Sequence, residues 1–123
     1  MLDEDPDLER LRALCLSLPE ATEKDSWGHP NFRAGKRTFV TYEWIKGRPS
    51  IAFRLNPPDL EPLLRRHKQC FVTPYGRGLW VSLWVNRRMS WRMVEDLVMR
   101  SYRTVALKRM LAALDQDLRA GEG

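Results

Sequence analysis

The chain has 123 residues, of which 43% are hydrophobic and 30% charged. That suffices for one hydrophobic core and is too mixed for a disordered chain or a repeat array. The first ten residues, MLDEDPDLER, are acidic where a secretory leader is basic and then apolar, and no apolar run is long enough to cross a bilayer, so a cytoplasmic protein with no membrane partner is expected.

The formal charge of +5 conceals an asymmetry. Residues 1–9 carry five acids and no base, whereas residues 65–109 carry eleven Lys or Arg against only Glu95 and Asp96. Such a balance admits a polyanionic partner, although basic surfaces also serve solubility.

In chain order, DPDLERLRALCLSLP places Leu8, Leu11, Leu14, Cys15 and Leu18 at helical spacing, with Asp5 as N-cap, Pro6 at the first helical position and Pro19 beyond the end. Next, in WGHP, Gly28 accepts backbone angles closed to other residues and Pro30 holds His29 extended, so a strand is expected to start there. The run NFRAGKRTFVTYEWIKGRPSIAFRL then reads as three short strands turning at Ala34-Gly35-Lys36 and Lys46-Gly47-Arg48. In NPPDLEPLLRRH, the residues Leu60, Leu63, Leu64 and His67 share a helical face, and Pro62 is tolerated if the helix begins near Asp59. CFVTPYGRG and LWVSLWV form a second hairpin. Finally, Ser90 caps a helix carrying Val94, Leu97, Val98, Ser101 and Val105 on one stripe.

The order α-β-β-β-α-β-β-α predicts an α+β fold: a five-stranded antiparallel sheet packed against three helices. Helices one and three are expected over the face built by Phe39, Ile51, Phe53, Val81 and Leu83. One domain spans residues 1–123, with its core at about 6–114 between an acidic N-terminal and a polar C-terminal tail.

The segments LCLSLP, WGHPNFRAGKRTFV, TPYGRGLWVSL and LVMRSYRTVALKRML, spread over about residues 8 to 114, resemble the MmcQ/YjbR family of small bacterial proteins. The resemblance implies a CyaY-like fold with the structural motif called a double wing, and a DNA-binding role. Where many relatives carry Ala-Pro-Lys after SYR, this chain has Ala106-Leu107-Lys108, so the last helix is expected to run unbroken to about Leu114.

The soft metal ligands are Cys15, His29, His67 and Cys70. His67 and Cys70 have ligand-like spacing, but no CxxC or HExxH pair supports the set and Cys15 falls on the apolar stripe of helix one, so no metal is expected. Cys15 has no neighbouring base, and Glu43, Asp59, Glu61, Glu95 and Asp96 fall where strand surface, helix caps and solvated faces place them. Neither cofactor nor catalytic residue is therefore expected, and the protein reads as a non-enzyme. WGHP reads as a structural corner, with Trp27 packed over the sheet edge.

The strand LWVSLWV carries Leu79, Val81, Leu83 and Val85 on its core face, and Trp80, Ser82 and Trp84 on the other. Strand pairing would bring Arg54 close to the tryptophans, a combination that stacks bases or binds a protein partner. If a helix or a second subunit covers that face, the tryptophans are ordinary core. Lys36 and Arg37, Arg77, and Arg87 and Arg88 occupy turns that can meet phosphates. The expected partner is thus nucleic acid, DNA foremost, held by Lys36, Arg37, Arg54, Arg77, Trp80, Trp84, Arg87 and Arg88. The alternative is a protein-interaction module or homodimer using the Trp face.

Overall fold

A computed structural model describes residues 5–122. The elements run α1 (Pro6–Leu16), β1 (Ala21–Ser26), β2 (His29–Ala34), β3 (Arg37–Ile45), β4 (Arg48–Arg54), α2 (Pro57–Arg66), β5 (Cys70–Val72), β6 (Trp80–Trp84), α3 (Trp91–Val105) and α4 (Lys108–Glu122). The fold is α+β with an antiparallel sheet, but the sheet has six strands rather than five, in the order β1-β2-β3-β4-β6-β5. The additional strand is ATEKDS. As an edge strand paired only with β2, it buries almost nothing and so carries no apolar alternation. Arg12 of α1 clamps Glu23 of this strand through two hydrogen bonds of 2.5 and 2.8 Å.

One face of the sheet is the core. Across it run the rows Val40–Phe53–Val81 and Tyr42–Ile51–Leu83–Cys70, all buried. Between Phe32 and Arg33 the pairing of β2 with β3 slips, so Arg33 faces Thr38 and Phe39 has no partner across the ladder. This β-bulge turns consecutive residues, Phe39 and Val40, into the same core, and Phe39 meets Tyr102 of α3 edge-on at 5.5 Å. As the alternation foretold, α3 lies over β3 and β4, with α1 beside it. Asp5 caps α1 through Leu8 N–H (3.1 Å) and accepts the Tyr42 hydroxyl at 2.7 Å, joining the helix start to the sheet.

Two helical expectations are corrected. Helix α2 begins at Pro57, not near Asp59, because the first turn needs no intrahelical N–H donors; this leaves Pro62 inside the helix. The last helix is broken. Val105 ends α3, Ala106 is extended (ψ 142°), and Leu107 accepts the N–H groups of Met110 and Leu111 to start α4. A straight continuation of the stripe Val94, Leu97, Val98, Ser101 and Val105 would aim Lys108 and Ala112 at the core. The break instead re-aims the chain so that Met110 and Leu114 are buried. Arg109 then holds Glu20 with two hydrogen bonds of 2.8 Å, and the Tyr102 hydroxyl donates to Pro19 O at 2.7 Å.

Both thiols are buried. Burial pushes Cys15 far above the ordinary thiol value and Cys70 up to about 11. Iodoacetamide at pH 8 is expected to leave both unmodified in the native protein and to label both in denaturant, as mass spectrometry can read. Because the folded chain holds these protons more tightly than the unfolded one, their contribution to stability is complete below the unfolded thiol value of about 8.5. It is lost as pH rises through that value toward about 11 for Cys70. Rapid native labelling of either thiol would contradict this burial.

Candidate functional site

The sheet face away from the core is built of alternate strand residues. The row Asn31–Thr41–Ala52–Ser82–Phe71 crosses it, with Ser50 opposite Trp84 in one neighbouring row and Arg54 opposite Trp80 in another. Small side chains at Ser50, Ala52 and Ser82 occupy its middle, where they are fully buried.

The loop from Thr73 to Leu79 closes over part of this face. Thr73 and Ser82 hydroxyls bond at 2.7 Å. Tyr75 reaches across to β3, where its hydroxyl donates to Glu43 Oε1 and lies 3.4 Å from Thr41 Oγ1. The Trp80 indole packs on the Gly76 backbone so closely that a Cβ there would fall 2.2 Å from Trp80 Cδ1, and Gly76 has φ +84°; only glycine fits. Arg77 (φ 55°) and Gly78 (φ 80°) continue this left-handed run. The segment PYGRGLW, which carried part of the family resemblance, thus builds the wall of a pocket.

That pocket, of about 550 Å³, is lined by Trp27, His29, Asn31, Thr38, Thr41, Glu43, Tyr75 and Trp80. Glu43 is buried and its Oε2 lies 3.7 Å from His29 Nε2. His29 Nδ1 is buried with no hydrogen-bond partner among the described residues. Burial, reinforced by the Glu43 carboxylate, holds the Tyr75 phenol proton well above its ordinary range, so Tyr75 remains a donor. The floor therefore offers a carboxylate, an imidazole, an amide and a phenol beneath aromatic walls, a set suited to the polar edge and flat faces of a planar ring.

Five of the expected contact residues share one end of the sheet. Lys36 and Arg37 occupy the β2–β3 turn, Arg54 pairs with Trp80, and Arg77 lies in the loop entering β6. Arg54 is partly buried, and its guanidinium is disfavoured first by that burial and then by the charge of Arg37. Trp84, Arg87 and Arg88 fall at the other end, four residues or about 13 Å along β6. Arg54 accordingly accompanies Trp80 alone. Trp84 is stacked on Phe71 at 4.4 Å and capped by the Arg48 guanidinium at 4.0 Å, so its faces are already occupied.

WGHP is a corner, but not a buried one. Trp27 (φ 57°) and Gly28 (φ 81°) form the two-residue turn between β1 and β2, and Trp27 is 95% exposed instead of packed over the sheet edge. Glu43, expected on the strand surface, is buried in the pocket. His29 and Asn31 on β2, and Thr41 and Glu43 on β3, are polar pairs at a spacing of two on strands whose other side is core; this is the sequence signal that marks them. Cys15 and Cys70 are buried, whereas His67 is exposed at the end of α2, and no group of three or more His, Cys, Asp or Glu among the described residues could hold a metal ion. No described helix is long and apolar enough to cross a membrane.

Among solved structures the chain is similar to the Deinococcus radiodurans protein DR2400, which has a DUF419 domain, with a TM-score of 0.72, 18% identity, and coverage of 88% of this chain and 87% of that one. It is also similar to a protein from Pseudomonas syringae, with a TM-score of 0.66, 11% identity, and coverage of 82% and 98% respectively. No curated protein matches it in sequence. A family model described as YjbR matches residues 16–104, well over half of the sequence, and the chain belongs to the YjbR family.

Proposed function

We propose that the protein is a non-enzymatic nucleic-acid-binding protein that takes a DNA strand along the Trp80 end of the sheet face away from the core. Lys36, Arg37, Arg54 and Arg77 meet phosphates, and bases stack on Trp80 and enter the pocket toward Trp27. The β2–β3 turn and the Arg77 tip of the Thr73–Leu79 loop act as the two wings of a double-wing arrangement. The observation that carries this reading is the cross-strand pairing of Arg54 with Trp80, which itself lines an aromatic pocket with a polar floor. Cations track a backbone and aromatic faces accept bases of any sequence. The pocket favours a single strand, since bases in a duplex have no free face to stack. A homodimer through the Trp face has less support, because Trp84 is already covered by Phe71 and Arg48.

Fluorescence anisotropy with single-stranded and duplex DNA of mixed sequence, at two salt concentrations, tests the reading. Tighter binding of the single strand is expected, falling steeply with salt. Trp80→Ala should weaken it by about 1–3 kcal/mol while the fold is retained. Absence of binding at low salt, or indifference to Trp80→Ala, would move the face to a protein partner.

A further inference from the structure

A second cavity lies away from the sheet-face pocket, between the end of α2 and the start of α3. Its volume is about 500 Å³, and Arg66, Lys68, Arg88 and Arg92 all line it. None of the four has a carboxylate within ion-pair distance among the described residues. Asp96, the acid on the cavity wall, is held by Arg100 at 3.4 Å. Elsewhere Arg12, Arg65, Arg103 and Arg109 face acids, while cations such as Lys24, Arg37 and Arg77 also stand without one among the described residues, so it is the gathering of four around one volume that sets this cavity apart.

Charge at the helix ends explains only part of this gathering. Arg66 complements the C-terminal end of α2, but Arg92 stands in the first turn of α3, where a cation opposes the helix dipole and where the chain places no acid. Ser90 caps that turn through Met93 N–H at 3.2 Å. Four like charges around one cavity repel one another, and an anion in the cavity adds an attraction to each of them that offsets this repulsion. Arginine forks suit the several oxygens of a phosphate.

We propose that this cavity binds a doubly charged phosphate group, as in a phosphomonoester or a diphosphate, and does so independently of the sheet face. Both a small phosphorylated molecule and the 5′-phosphate of a nucleic-acid strand present this chemistry.

Calorimetric titration of the full chain with pyrophosphate at low ionic strength tests the proposal. One saturable site is expected, weakened by at least about tenfold in Arg88→Ala/Arg92→Ala. The melting temperature of the unliganded double variant should be unchanged or raised, since two repelling charges are gone. Should that variant melt early, Arg66→Ala/Lys68→Ala repeats the test from the α2 side. Arg37→Ala/Arg54→Ala should keep pyrophosphate affinity, which separates this cavity from the sheet-face reading. A 5′-phosphate that tightens oligonucleotide binding, with the gain erased in Arg88→Ala/Arg92→Ala, assigns the group to a strand end; pyrophosphate binding without that gain assigns a small ligand. Absence of a saturable site, affinity that both charge-removal variants leave intact, or affinity lost in Arg37→Ala/Arg54→Ala would overturn the proposal.

Discussion

Phe39→Ala is expected to lower the free energy of unfolding by about 3–5 kcal/mol, the range for truncating a fully buried Phe. Phe39 is the unpaired residue of the β2–β3 bulge, is completely buried, and meets the Tyr102 ring at 84°. The space left by its ring cannot be filled from the sheet, because Val40 already occupies the adjoining core position and the bulge fixes both directions. Tyr102 loses its edge contact while its hydroxyl remains tied to Pro19 O, so α3 cannot easily settle toward the sheet. Urea unfolding followed by tryptophan fluorescence should show a lower midpoint with an unchanged slope. A loss below about 1 kcal/mol would mean that α3 is not locked to β3 in this way.

Arg37→Ala/Arg54→Ala should produce the largest change in nucleic-acid binding. If each guanidinium meets one phosphate of a single strand, the log-log slope of affinity against salt should fall by about 1.4, at roughly 0.7 per phosphate. Stability should change little or rise slightly, since Arg54 is partly buried beside the like charge of Arg37. The matching replacement Arg87→Ala/Arg88→Ala acts at the other end of β6 and should change the slope for a short strand by less. Equal effects would mean that a strand follows the whole sheet face from Arg37 to Arg88. A larger effect at Arg87 and Arg88 would move the phosphate track away from Trp80.

Much of the fold was legible because its signals are local. Asp5 and Ser90 announce helix starts, the stripe from Val94 to Val105 announces a buried face, and the alternation Leu79, Val81, Leu83 announces a strand with one side in the core. The cations and tryptophans of the proposed interface were likewise visible as residue types in turns and on one strand face. Three features were not local. The edge strand ATEKDS is a strand only because β2 offers it a ladder. The α3–α4 break at Ala106 is decided by whether Lys108 or Met110 faces the core, which depends on how α4 folds back. The pocket joins residues from four places: the β1–β2 turn, β2, β3 and the β5–β6 loop with the start of β6. Glu43 reads as surface in the sequence because alternation gives the side of a strand and not what covers it. Tyr75, 32 positions away, reaches it only because the β5–β6 loop folds over the sheet, and Gly76 lets that loop pass against Trp80. Local hydrophobic period and capping chemistry thus determined the elements, while the sheet order, the bulge and the loop crossing decided which polar side chains converge, because convergence depends on contacts between residues distant in the chain.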